Sequence, residues 1–214
     1  MREDIKTTIY VFRHGQTTGN IRKQYDGFGD VLLTEVGEAQ AQARAVEFKD
    51  IQFDAVYSSD LIRAKRTAEL IKAERNLEVK TSELLRERNY GHFDGKNREE
   101  LLAEYKEVFD EYEQIANHEE KLRYNFGGAA EDIDILVSRF IRALREIALA
   151  NLGKTVLVVA HGSVMRAFLG HLDPEYYSWR FDNTGWFKVL SDGVDFELKE
   201  TSGIEPIILG AARK

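Results

Sequence analysis

The 214-residue chain is long enough for one sizeable α/β domain, and its 43% apolar and 31% charged residues fit a packed core under a charged surface rather than disorder. A net charge of −7, with acidic residues spread along the sequence, argues against a nucleic-acid partner, which calls for a basic face. With no cysteine, disulfides, thiolate nucleophiles and zinc–cysteine sites are excluded, and a reducing cytoplasm is the natural setting.

The start, Met1 to Lys6, is polar, and the apolar run Ile9 to Phe12 is too short for a leader or a membrane span. No later segment reaches spanning length, so a soluble cytoplasmic protein with no membrane partner is expected. Thr7 to Phe12 reads as a short buried strand that ends in Arg13-His14-Gly15. Thr34 is placed to cap a helix over roughly Glu35 to Lys49. Phe53 to Tyr57 reads as a second strand, running into the helix-start signal Ser58-Ser59-Asp60 and a helix over Leu61 to Ala73. Glu78 to Lys80 is a short strand candidate, and Glu99 to about Glu120 a charged helical stretch. Gly127-Gly128 breaks the chain before a long helix from about Ala130 to Ala150. Thr155 to Ala160 is a continuous apolar strand, followed at once by His161-Gly162 and a helix over Ser163 to Leu169. Trp186 to Leu190 and Val194 to Leu198 flank Ser191-Asp192-Gly193, a hairpin signal.

Alternating strands and helices predict a doubly wound α/β fold: a mostly parallel sheet, helices on both faces and a C-terminal β-hairpin. With no repeat and no linker, and prolines only at Pro174 and Pro206, residues 1–214 read as one domain with an insertion at about 96–126. Ligands of such sheets bind beyond the carboxyl ends of the strands. Two strands that each end in His-Gly therefore put His14 and His161 on one edge. A single His-Gly is more readily a core or turn histidine, but two at strand ends are hard to ascribe to chance. The glycine permits close approach or an unusual φ, and Arg13 adds a fork of donors suited to phosphate. Arg63, in the first turn of its helix, could face an anion or simply pair with Asp60 or Glu69. Glu87 lies among Glu83, Arg86 and Arg88, where a plain surface glutamate is the more natural reading of the residues alone. His92 lies near Glu87, His118 falls in a charged stretch and His171 follows a helix. No H-x-x-x-H or H-E-x-x-H spacing occurs, so no metal site is expected.

Several blocks resemble the histidine phosphatase superfamily, in the branch that includes cofactor-dependent phosphoglycerate mutases. They are Arg13-His14-Gly15-Gln16-Thr17-Thr18-Gly19-Asn20; Gly27, Asp30 and Leu33-Thr34-Glu35-Val36-Gly37; Ser58 to Ala64 with Thr67-Ala68; Leu85 to Gly91 with Gly95; and Val158 to Gly162. They occur in the family's order over most of Ile9 to Leu169. The resemblance implies a doubly wound sheet with a helical cap, and His14 as the nucleophile that becomes phosphohistidine. It implies Arg13, Arg63 and His161 as holders of the phosphoryl oxygens, joined by Asn20 and the Gly162 backbone. Glu87 would protonate the leaving oxygen and then deprotonate water. Thr17, Gly27 and Tyr90 match positions that face the substrate, a small phosphomonoester, and no cofactor is implied.

Elementary chemistry agrees. A histidine attacks only through an unprotonated ring nitrogen, and neighbouring Arg13 and Arg63 disfavour imidazolium. The same cations stabilise the transferring phosphoryl group, and an alkoxide leaving group needs an acid. The mutases carry an adjacent arginine pair for the substrate carboxylate, whereas Lys106, Lys121 and Arg123 are isolated within Glu99 to Phe126. The family tends to place an acidic residue directly after Gly127-Gly128, where this chain has Ala129-Ala130. Hydrolysis is therefore favoured over mutase activity, with a silent phospho-ligand binder as a third option.

Overall fold

A computed structural model describes residues 5–207; the polar segment at residues 1–4 and the last seven residues lie outside the described part. Strands β1 (Thr7–Arg13), β2 (Ala55–Ser59), β3 (Val79–Ser82), β4 (Thr155–Ala160), β5 (Trp179–Ser191) and β6 (Phe196–Pro206) form one sheet in the order 3-2-4-1-5-6. The β3-β2-β4-β1 portion is parallel, and β5 and β6 are added antiparallel, completing the α/β architecture expected. The helices are α1 (Thr18–Arg22), α2 (Glu35–Glu47), α3 (Ile62–Lys72), α4 (Arg98–Glu104), α5 (Lys106–Gln114), α6 (His118–Arg123), α7 (Ile133–Ala150) and α8 (Gly162–Leu172).

Both faces of the sheet are covered, which explains why the centres of β1 and β4, Ile9 to Phe12 and Val156 to Ala160, are continuously apolar rather than alternating. Ile9, Val11, Val156 and Val158 pack with Phe140 and Leu144 of α7 and Phe168 of α8. Tyr10, Phe12, Leu157 and Val159 pack on the other face with Ala41 of α2 and Ala64, Ala68 and Ile71 of α3. Phe93, Leu101, Phe109, Phe126 and Ala130 form a separate aromatic-rich cluster.

The charged stretch after Glu99 is three helices and not one. The backbone leaves helical geometry at Tyr105, whose ring sits 4.9 Å from that of Phe93, and Asn117 caps α6 afresh. Satisfying the aromatic cluster overrides the local helical preference. α3 starts differently from its sequence signal. The N–H of Ile62 is taken by Asp30 from a distant loop at 3.2 Å, and Asp60 pairs with Arg86 instead. The C-terminal hairpin is longer than predicted on both strands, with a register shift between Phe181 and Trp186. His171 lies in the last turn of α8, exposed.

Candidate active site

β1 and β4 are neighbours with Arg13 opposite Ala160, so the residues after them meet at the carboxyl edge. The His14 N–H extends the ladder by one bond, to the Ala160 carbonyl at 3.1 Å. The His14 and His161 rings lie 5.2 Å apart, and both are buried. Gly15 is required here by packing, since a Cβ would sit 2.4 Å from the Gly37 carbonyl oxygen and its φ is not positive. Of the two reasons expected, an unusual φ does not apply, and the close approach is that of the Gly37 backbone.

Hydrogen bonding fixes opposite tautomers on the two rings. Nδ1 of His14 lies 2.7 Å from the Gly15 carbonyl. A carbonyl only accepts, so Nδ1 carries the proton and Nε2 keeps its lone pair. Nδ1 of His161 accepts from Nε of Arg63 at 3.3 Å, so the His161 proton is on Nε2. That Nε2 is buried and has no partner among the described residues, which leaves a donor for an incoming anion.

Arg63 is 1% exposed and does not pair with Asp60 or Glu69. Beyond His161, its Nη1 donates to Gly29 at 2.8 Å and its Nη2 to the carbonyls of Asp26 and Gly27 at 3.2 and 2.7 Å. Four of a guanidinium's five donor hydrogens are thus accounted for, and Arg63 both charges the pocket and ties down the loop at 26–29. Arg13 donates to the Phe181 carbonyl at 2.5 Å, and its side chain runs beside Gly162.

Glu87 is 7% exposed, among backbone donors: Arg88 at 2.8 Å, Ser163 at 3.0 Å and Val164 at 3.1 Å. It therefore caps α8, the helix that His161 precedes, and is no surface glutamate. Asn20 is half-buried, its Oδ1 accepting from the Thr17 N–H at 3.2 Å. Thr17 caps α1 through its hydroxyl. Both backbone groups of Gly27 are engaged, its N–H with Asp94 at 2.8 Å and its carbonyl with Arg63. Tyr90 shares a hydrogen bond with Ser163 at 3.2 Å, and burial pushes its hydroxyl up to about 12.

Burial pushes the imidazoles of His14 and His161 well below their ordinary value, with Arg63 next in importance for each; for His14, Arg13 adds to this. Desolvation thus outweighs the cations singled out from sequence. Unfolded imidazole titrates near 6.5, so as pH falls through 6.5 the unfolded chain binds protons that the folded one refuses. Stability should be flat above that pH and decline below it, by up to about 1.4 kcal/mol per pH unit for each ring. Imidazole NMR titration checks this; both rings titrating near 6.5 would contradict it.

Two supporting residues went unread in the sequence. Arg139 of α7 donates to the carbonyls of Leu84, Arg86 and Glu87 at 3.0, 2.7 and 2.6 Å and pairs with Glu131 at 2.8 Å. Glu131 also accepts from the Asn89 N–H at 3.1 Å. An acid thus lies two positions beyond the one where the resemblance led us to expect it, and with Arg139 it brackets the segment that carries Glu87. Its signal was an acidic residue at the start of a long helix, with the arginine two turns on.

These features define a doubly wound α/β protein in which the buried Arg63, the half-buried Arg13 and two buried imidazoles lie together at one carboxyl edge of the sheet. The model of the histidine phosphatase superfamily, branch 1, matches residues 9–202, and the chain belongs to that superfamily. A Bacillus subtilis protein described as the uncharacterized phosphatase PhoE is 31% identical over 180 residues, 83% of this chain and 84% of that one. A 2,3-bisphosphoglycerate-dependent phosphoglycerate mutase of Methylobacterium sp. (strain 4-46) is 36% identical over 175 residues, 77% of this chain and 80% of that one. The crystal structure of a phosphoglycerate mutase from Bacillus anthracis matches with a TM-score of 0.81 at 27% identity, over 94% of this chain and 96% of that one. The relatives thus carry phosphatase and mutase names. No described helix is long and apolar enough to cross a membrane, and no described group of His, Asp and Glu has a metal-binding arrangement.

Proposed function

We propose that the protein is a cytoplasmic phosphomonoester hydrolase that acts on a small phosphorylated metabolite through a phosphohistidine at His14. The observation that carries this is the pair of opposed tautomers: an imidazole lone pair on His14 beside a buried imidazole donor on His161. Nε2 of His14 attacks phosphorus, and the bond from phosphorus to the leaving oxygen breaks. Glu87 gives that oxygen its proton. Water then attacks phosphorus, loses a proton to Glu87 and releases phosphate, restoring His14. Arg13, Arg63, His161, Asn20 and the Gly162 N–H hold the phosphoryl oxygens, so the protein's own cations supply the charge stabilisation and neither metal nor cofactor is called for. Thr17, Gly27 and Tyr90 border the substrate, and the insertion at 96–126 forms the mouth of the site within a single domain.

Hydrolysis is preferred to mutase chemistry because a phosphoglycerate carboxylate needs a cation at that mouth. All five lysines and arginines between 96 and 126 are paired with acids: Lys96 with Glu104, Arg98 and Lys121 with Glu113, Lys106 with Asp110, and Arg123 with Glu119 and Asp134. A panel of phosphomonoesters with phosphate-release detection, beside a phosphoglycerate interconversion assay primed with 2,3-bisphosphoglycerate, tests the reading. Interconversion faster than phosphate release would overturn it.

Glu87→Gln is expected to slow hydrolysis of alkyl phosphates by about 10²- to 10⁴-fold, the range of general acid–base catalysis. Aryl phosphates with acidic leaving groups should suffer far less. Equal slowing across leaving groups of widely different pKa would count against Glu87 as the acid.

A further inference from the structure

Asn183 lies in the irregular part of β5, between Phe181 and Trp186, where the register against β6 shifts. The next residue, Thr184, has φ +58°, which is costly for a β-branched side chain and persists only when its surroundings enforce it. They do so here: the Thr184 N–H bonds to the His14 carbonyl at 3.3 Å, and its carbonyl accepts from Nε of Arg44 at 3.1 Å. The result is to bring Asn183 against the loop that carries the nucleophile. Its Nδ2 donates to the His14 carbonyl at 3.2 Å and to Oδ1 of Asn20 at 3.0 Å.

The direction of this chain of bonds is forced. The His14 carbonyl only accepts, so Asn183 must present its NH2 group. Oδ1 of Asn20 receives both that NH2 group and the Thr17 N–H, which only donates. Turning the Asn20 amide over would set donor against donor at both contacts. Asn20 is therefore held with its oxygen towards the protein and both of its own N–H donors turned away from these partners.

We propose that Asn183 is a positioning residue that locks the Asn20 amide so that its NH2 group faces the phosphoryl oxygens, while also holding the backbone of His14. This deepens the proposed function and rests on it, in particular on Asn20 as a phosphoryl contact. Asn183 touches no reacting atom; it acts through Asn20.

The test is a double-mutant cycle read in two ways: affinity for inorganic phosphate by calorimetry, and steady-state hydrolysis of p-nitrophenyl phosphate. Asn183→Ala and Asn20→Ala are each expected to weaken phosphate binding about tenfold, the scale of one hydrogen bond to a charged group. KM should rise similarly, and kcat in Asn183→Ala should follow that of Asn20→Ala to within about threefold, since one residue acts through the other. The double variant should lose no more than about twofold beyond either single one, because both remove the same contact. Losses that multiply to about 100-fold would show separate roles and overturn the inference. So would wild-type phosphate affinity in Asn183→Ala. Should the alanine variant fail to fold, Asn183→Ser keeps a hydroxyl donor on a shorter side chain that stops short of Asn20, and the same tenfold loss is expected; wild-type affinity in that variant overturns the inference equally. A wild-type protein that neither binds phosphate nor turns over would remove the functional reading and this inference together, whereas failure confined to the Asn183 variants removes this inference alone.

Discussion

His14→Ala should abolish turnover, by at least about 10⁴-fold, and should eliminate the phosphoenzyme. The competing nucleophile is His161, an equally buried imidazole whose ring centre is only 5.2 Å away. The two are distinguished by their protons. Nε2 of His14 has a lone pair because Nδ1 is committed to the Gly15 carbonyl, whereas the lone pair of His161 is on Nδ1 and already accepts from Arg63. For His161 to attack, Arg63 would have to release it, leaving a buried guanidinium hydrogen without an acceptor. Rapid quenching with a phosphomonoester, followed by mass spectrometry, should find an acid-labile phosphoryl group on His14. A group on His161, or a full rate in the alanine variant, would remove the proposed nucleophile. The fold should survive, since the variant loses a neutral ring and one local hydrogen bond, and its unfolding transition provides the control.

Much of this site was visible in the sequence because its parts are local. The apolar runs within Thr7 to Phe12 and Thr155 to Ala160 read as buried strands, and each delivers a histidine just past its end. What was not visible depends on contacts between distant segments. Strand order is one such case, because periodicity describes a strand's faces and not its neighbours. Asn183 is another: only the pairing of β5 with β1 shows that this part of the chain reaches His14. Glu131 was missed because position was counted from Gly127-Gly128. Two residues beyond the expected position, Glu131 meets Asn89 and Arg139, and only those contacts reveal it. The weight of burial in setting the histidines' protonation was likewise out of reach, since it is summed over every element packed around them.

The second large effect is expected at Arg63. Arg63→Met keeps most of the buried volume and removes the charge and the fork. Three carbonyls, those of Asp26, Gly27 and Gly29, lose their donor, as does Nδ1 of His161. Stranding buried acceptors in this way should cost about 3 kcal/mol of stability. Without Arg63 on Nδ1, His161 is no longer compelled to carry its proton on Nε2, so the pocket loses a cation and a fixed donor in one step. A fall in kcat/KM of about 10³-fold follows if each is worth a few kcal/mol in a water-poor site. Arg63→Lys separates charge from geometry: an ammonium restores the charge but cannot reach four acceptors in one plane, so it should recover only a small part of the rate. Arg63→Met should also move the acid limb of the pH–rate profile upward, because the Arg63 charge is the second-largest cause holding His14 and His161 below their ordinary range, whereas Arg63→Lys, which keeps the charge, should leave the limb nearly in place. The limb should still lie below 6.5, since burial, the larger cause, is retained. A folded Arg63→Met enzyme within tenfold of wild type, with an unmoved acid limb, would mean that this guanidinium serves only the loop at 26–29 and not the phosphoryl group.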